Sequence, residues 1–161
     1  MEVENKPIDQ RALSLQLAQR YADLCSTCAK VHVGSLIETH KHEFMYGTNH
    51  GVCNCQKNGC RRIQLYGDAS KEHRLPSDCD SIHSEVDAIA RAAASGLRLE
   101  GGTIYVTRYP CEACARAIVA AGIIRVVYGR QEEISDYTKQ IFETSGIKVE
   151  KVDWDWEDNN E

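Results

Sequence analysis

Four side chains in this sequence could carry out hydrolysis together: His83 and Glu85, with one residue between them, and Cys111 and Cys114 within Pro110-Cys111-Glu112-Ala113-Cys114. Imidazole nitrogen and thiolate sulfur are zinc ligands. A structural zinc usually takes four protein ligands, whereas a catalytic zinc takes three and leaves one position for water. His83, Cys111 and Cys114 supply three. Glu85, two residues beyond the histidine, is a carboxylate that need not ligate and so becomes the candidate general acid/base. A Cys-x-x-Cys pair by itself reads more often as a redox pair or half of a zinc ribbon. Its conjunction with His-x-Glu favours a hydrolytic metal centre.

These residues need elements that aim them at one point. Residues 82–94 (Ile82-His83-Ser84-Glu85-Val86 onward into an alanine run) predict a helix whose apolar face is Val86, Ile89, Ala90 and Ala93. Gly102 to Thr107 predicts a buried strand, and Ala113 to Ala121 a helix that Pro110 opens from the first helical position. Two helix starts, whose free N–H groups favour anionic ligands, would then converge on the metal. Elsewhere, Ile8 to Leu24 reads as an amphipathic helix capped by Asp9, with Ala12, Leu15, Ala18, Tyr21 and Ala22 facing inward. Val31 to Ile37 and Glu43 to Tyr46 read as strands joined by a turn, Ile123 to Tyr128 as a strand, Ile134 to Thr144 as a helix ending near Gly146, and Ile147 to Val152 as the last strand. The order α-β-β-α-β-α-β-α-β implies a three-layer α-β-α sandwich with a mixed five-stranded sheet, because strands joined through helices run parallel and the first two can form a hairpin.

With 161 residues, 42% of them hydrophobic, one sizeable core is expected, and hence a single domain over residues 1–161. Within it, the polar, cysteine-bearing stretch at about 50–80 is too long for an ordinary connection and is expected to be a functional or metal-ordered insertion. A short acidic tail occupies about 154–161. The start of the chain has neither a basic nor an apolar leader segment, and no apolar run reaches membrane-spanning length, so a soluble cytoplasmic protein without membrane partners is expected. In such a compartment the eight cysteines are more readily metal ligands than disulfides. The net charge of −5 disfavours a polynucleotide substrate, since non-specific nucleic-acid affinity comes from basic side chains. Local basic spots at Arg61-Arg62 and Lys71 to Arg74 would still suffice for a small nucleotide.

His-x-Glu with Pro-Cys-x-x-Cys is the signature of zinc nucleobase deaminases, and the stretch Ile82 to Arg130 resembles the core of the cytidine deaminase superfamily, most closely its deoxycytidylate (dCMP) deaminases. Tyr105 to Cys111, Ala121 to Tyr128, and Ser26-Thr27-Cys28 leading into Val33-Gly34-Ser35-Leu36-Ile37 carry the likeness beyond the metal motifs. The resemblance implies hydrolytic conversion of dCMP to dUMP with release of ammonia, with Glu85 carrying protons to the ring nitrogen and to the departing amine. It implies substrate contacts by Asn49, which matches the asparagine of the family's Gly-Tyr-Asn-Gly loop, by the groups around Ser84, and by Lys30, where many relatives have arginine. Ser84 stands where the family usually has alanine, and Asp87 where it usually has asparagine.

The resemblance also implies a second, structural zinc at the insertion. The preferred ligands are Cys28, Cys55, His73 and Cys79, with Cys60 as the nearest substitute for any of them. A homo-oligomer (a hexamer), regulation by dCTP or dTTP, and magnesium accompanying such an effector nucleotide follow from the same likeness. Two other readings stay open at this point. One is deamination of another nucleobase substrate: a nucleic-acid base, a nucleoside or guanine. The other is a non-catalytic zinc scaffold, which would have no need of Glu85.

Overall fold

Alternation along the strands determines how the layers stack. In the computed structural model, which describes residues 8–52, 54–67, 79–130 and 134–154, α1 (Gln10–Cys25) precedes the hairpin β1 (Gly34–Glu38) and β2 (Phe44–Thr48). The insertion carries β3 (His50–Gly51), α2 (Cys55–Asn58), α3 (Arg61–Tyr66) and β4 (Ser81–Ile82). Then follow α4 (Ser84–Ala94), β5 (Thr103–Arg108), α5 (Glu112–Ala120), β6 (Arg125–Arg130), α6 (Asp136–Thr144) and β7 (Lys148–Lys151).

The main sheet has the order β2-β1-β5-β6-β7. β1 is antiparallel to both neighbours, while β5, β6 and β7 run parallel. Successive residues point to opposite faces, as a pleated strand requires. Leu36, Tyr105 and Val127 pack with Leu15 and Ala18 of α1. Ile37, Ile104, Val106, Val126 and Tyr128 pack with Ala88, Ala92, Ala115, Ile118 and Phe142 of α4, α5 and α6. One helix thus covers one face and three cover the other, in agreement with the three-layer expectation and its mixed five-stranded sheet.

Two glycines allow the layers to approach closely. A Cβ on Gly34 would lie 1.9 Å from the Ala18 carbonyl oxygen of α1, and one on Gly47 would lie 2.2 Å from the Ser84 carbonyl oxygen of α4. The start of α4 is therefore seated directly on β2. Of the predicted inward face of this helix, Ile89 packs against the core and the rest is corrected by the structure. Its buried residues are Ser84, Glu85, Asp87, Ala88 and Ala92, whereas Val86 is 37% exposed and Ala90 and Ala93 face solvent. Close contact with the sheet selects small and hydrogen-bonded residues over the bulkier apolar stripe.

Asp9 caps α1 as expected, accepting from the Arg11 backbone N–H. Gly146 takes a positive φ of 68° just past α6, which suits a helix C-terminus. Across the base of the insertion, β3 and β4 pair antiparallel, His50 opposite Ile82 and Gly51 opposite Ser81. This ribbon ties the insertion to the residue before His83.

Candidate active site

His83 is the N-cap of α4 and Cys111 the N-cap of α5, and neither side chain makes a capping hydrogen bond. Each is left to face the other helix start. Pro110 precedes the cap and does not occupy the first helical position, which the sequence had suggested; Glu112 opens α5. Cys114 lies on the first turn of α5. The Nδ1 of His83 is 3.5 Å from Cys111 Sγ and 3.4 Å from Cys114 Sγ, and the three ligand atoms fall within 4.8 Å of one another.

This donor set fits zinc. A nitrogen and a sulfur ligand at tetrahedral zinc stand roughly 3.6 Å apart, given the usual Zn–N and Zn–S bond lengths, which is close to the observed spacing. The proton affinities agree with it. A hydrogen bond from Cys114, then one with His83, holds the Cys111 thiol down to about 3. Donating that bond, together with burial, pushes the Cys114 thiol up, and His83 is raised first by its contact with Cys111. Each of the three groups thus has its proton affinity shifted by another of the set, as expected for ligands brought to one point.

Glu85 is on the first turn of α4 and only 4% exposed. Burial raises the proton affinity of its carboxyl, opposed by its own backbone N–H, the nearby His83 and the Ser84 hydroxyl. Ser84 Oγ donates to Glu85 Oε2 at 3.1 Å. The other acidic residue of the motif, Glu112, turns elsewhere and accepts from Ser135 Oγ at 2.7 Å.

His83 and Cys111 border two cavities. One of about 370 Å³ reaches Glu85 and is also lined by Asn49, Tyr109, Lys30, Arg62 and Arg108. The other, about 830 Å³, runs past Val86, Arg116, Ser135 and Thr138 and does not reach Glu85. Proton chemistry by Glu85 is possible only from the smaller one, whose size is ordinary for a small-molecule site.

Of the expected substrate contacts, Lys30 is exposed on the cavity rim. Asn49 lines the wall, yet its amide already serves the protein: Oδ1 accepts from Ser26 Oγ and the Val33 N–H, and Nδ2 donates to the Val31 carbonyl. Ser84 is fully buried, and its hydroxyl meets Ser35 and Glu85. Asp87 receives the Thr48 N–H at 3.0 Å, His50 Nε2 at 3.0 Å and Arg91 Nε at 2.9 Å. It thereby pins the Thr48-Asn49-His50 segment to α4 and ties His50 to a buried carboxylate.

Cys28, Cys55, Cys60 and Cys79 line the same smaller cavity. Burial pushes the Cys55 thiol up, followed by the proximity of Cys28, Cys60 and Cys79. Among the described residues, only the His83 set brings three ligand atoms within 4.8 Å of one another. His73 and Cys53 lie outside the described residues. Arg62 and Ser35 were missed as site residues. The Arg61-Arg62 pair was visible, but nothing in the sequence says that the insertion folds back over the centre; Ser35 carried no signal beyond its place in a strand.

A profile of the cytidine and deoxycytidylate deaminase zinc-binding region matches residues 8–130. The chain is 33% identical over 135 residues to ComE operon protein 2 of Bacillus subtilis, covering 82% of this chain and 66% of that protein. It is 40% identical over 97 residues to the deoxycytidylate deaminase of Enterobacteria phage T2, covering 53% of this chain and 50% of the phage protein. It thus spans about half the length of that phage relative and 66% of the Bacillus one. The fold is shared with the dCMP deaminase of cyanophage S-TIM5, solved in complex with dCMP and dUMP: the TM-score is 0.66 at 20% identity, over 91% of this chain and all of that one. Among the described residues, no helix is long and apolar enough to cross a membrane.

Proposed function

The chain belongs to the cytidine and deoxycytidylate deaminase family, and on that premise we propose that it is a zinc-dependent hydrolase that converts dCMP to dUMP with release of ammonia. The observation that carries this reading is the joint geometry of His83, Cys111 and Cys114 with the buried Glu85 at the floor of a small cavity. Zinc, when held by those three residues, would lower the pKa of water and so provide the attacking group near neutral pH.

Glu85 does the proton work. Its carboxylate takes one proton from the attacking water and delivers it to the ring nitrogen beside the amine-bearing carbon; it then takes a second, from the hydroxyl now on that carbon, and delivers it to the amine, which leaves as ammonia. Burial suits it to hold each proton between taking it up and handing it on. Lys30, Arg62 and Arg108 line the same cavity, and a cluster of cations over so small a volume favours a substrate with a phosphate over a neutral nucleoside. The net charge of −5 favours a mononucleotide over a polynucleotide. The phage relatives' names support the same substrate.

The reading includes a second zinc, held by Cys28, Cys55, His73 and Cys79, with Cys60 as the nearest substitute for any one of them. Its support is the shared cavity wall and the mutual proximity of the thiols to Cys55. It also includes assembly into a homo-oligomer, for which the exposed Val86 and Tyr137 on the three-helix layer offer apolar surface.

The decisive experiment is an ammonia-release screen of the zinc-loaded protein on dCMP, CMP, dCTP, deoxycytidine, guanine, adenosine and single-stranded DNA. Fastest turnover of dCMP is expected. Preference for an unphosphorylated base or for the oligonucleotide would replace dCMP as the substrate, and release of ammonia from none of them would end the deaminase reading.

A further inference from the structure

Ser35, on β1, and Ser84, the first residue of α4, are 49 positions apart in sequence, yet their Oγ atoms are 2.7 Å apart and both residues are 0% exposed. From there the contact continues to Glu85, whose Oε2 accepts from Ser84 Oγ at 3.1 Å. A hydroxyl has one hydrogen and two lone pairs. With the hydrogen of Ser84 given to the carboxylate, the shorter contact must be Ser35 donating to Ser84. No other hydrogen bond engages the Ser35 hydroxyl among the described residues.

The backbone alone leaves the Glu85 carboxylate under-determined, because the last torsion of a glutamate side chain is broad and roughly two-fold. A buried donor on one oxygen removes that freedom. The donor itself is held fast, since the Ser84 carbonyl sits against Gly47 of β2, where no Cβ could fit, and Ser35 is paired within the sheet to Gly47 and Val106. Burying two hydroxyls is unfavourable unless each finds a partner, and each finds the other.

We propose that Ser35 and Ser84 form a two-hydroxyl clamp that sets the orientation of the Glu85 carboxylate, making both serines positioning residues. This rests on the deaminase reading, in which Glu85 moves the protons. The Ser84 hydroxyl is turned inward, which leaves its backbone and its neighbours' atoms for the substrate contacts that the family resemblance implies around Ser84.

The test uses zinc-loaded full-length protein with Ser84→Ala, Ser35→Ala and the double substitution. Kinetics of ammonia release, zinc content and the infrared band of the Glu85 carboxyl, identified by its loss in Glu85→Gln, are measured for each. Ser84→Ala should lower kcat about tenfold with KM and zinc content unchanged within roughly twofold, the size of effect expected when a supporting hydrogen bond is lost. The band should shift in Ser84→Ala and, less, in Ser35→Ala. The double variant should be no slower than Ser84→Ala, because the first serine acts only through the second.

A Ser84→Ala enzyme with wild-type kcat, losses that multiply in the double variant, or an unmoved band would overturn the clamp. Should Ser84→Ala fail to fold, the double variant, which orphans no hydroxyl, is read in its place with the same criteria. If the wild-type protein deaminates nothing in the screen, the deaminase reading has failed separately, and the infrared band alone decides the clamp.

Discussion

Glu85 and Asp87 lie two residues apart on one helix turn, both buried, and their surroundings fit them for different work. Glu85 is raised by burial and faces the cavity, next to the thiols and His83. Replacing it by glutamine keeps the size and hydrogen-bonding capacity but removes the proton carrier, so turnover of the best substrate should fall by at least roughly 10²-fold with zinc content unchanged. Paired kinetic and metal measurements check both halves. Asp87 has its oxygens occupied by Thr48, His50 and Arg91. Asp87→Ala would leave the buried Thr48 N–H without its acceptor and is expected to cost about 3 kcal/mol, read as a lower urea midpoint. A midpoint unchanged from wild type would show that the turn is held by other means.

At the scale of elements, the helix starts of α4 and α5 are placed by what lies beneath and behind them. Gly47 admits α4, and a methyl group there would meet backbone atoms at 2.2 and 2.5 Å. Those atoms cannot rotate aside, so Gly47→Ala should destabilise the fold by about 3 kcal/mol and displace the His83 end of the centre. Denaturation and zinc affinity should weaken together. At the far side of the sheet, Glu150 of β7 is drawn below the usual carboxylate range by Lys148 first and then by Arg125 of β6. A depressed carboxylate contributes stability that is present above its unfolded pKa and is lost as pH falls through its folded one. Glu150→Gln should therefore lower stability at neutral pH by no more than about 1 kcal/mol, a limit set by partial exposure. The difference should vanish once the pH is below both values, and a difference that persists in strong acid would mean that packing and not charge is responsible.

The whole molecule places a cysteine-rich insertion directly over its reactive centre. Its base is closed by β3 and β4, its Cys55, Cys60 and Cys79 share a cavity with Glu85, and its Arg62 joins Lys30 and Arg108 there. If zinc organises it, protein prepared without chelator should contain about two zinc ions per chain, and Cys79→Ser about one. The remaining ion should be the one at His83, Cys111 and Cys114, and the variant should become more sensitive to proteolysis within the insertion. A single zinc in a fully active wild-type preparation would rule the second site out.

The sequence by itself determined the layer order and marked the candidate metal ligands. His83, Glu85, Cys111 and Cys114 are separated by fixed short spacings on two helix starts, and local spacing is legible because it needs only the geometry of one turn. The same holds for Leu36 and Ile37 or Val126 and Val127, whose burial on opposite faces of the sheet follows from period-two alternation. What only the tertiary structure decided are relations between distant segments: Ser35 against Ser84, His50 against Asp87, and Arg62 with Lys30 on one cavity wall. The inward face of α4 belongs with them. Hydrophobicity pointed to Val86, Ala90 and Ala93 beside Ile89, and of these only Ile89 packs on the core, while under Gly47 the sheet is so near that small and hydrogen-bonded groups fit between. Such contacts depend on the distance between layers, which is a property of the packed chain and has no signature in the order of residues along it.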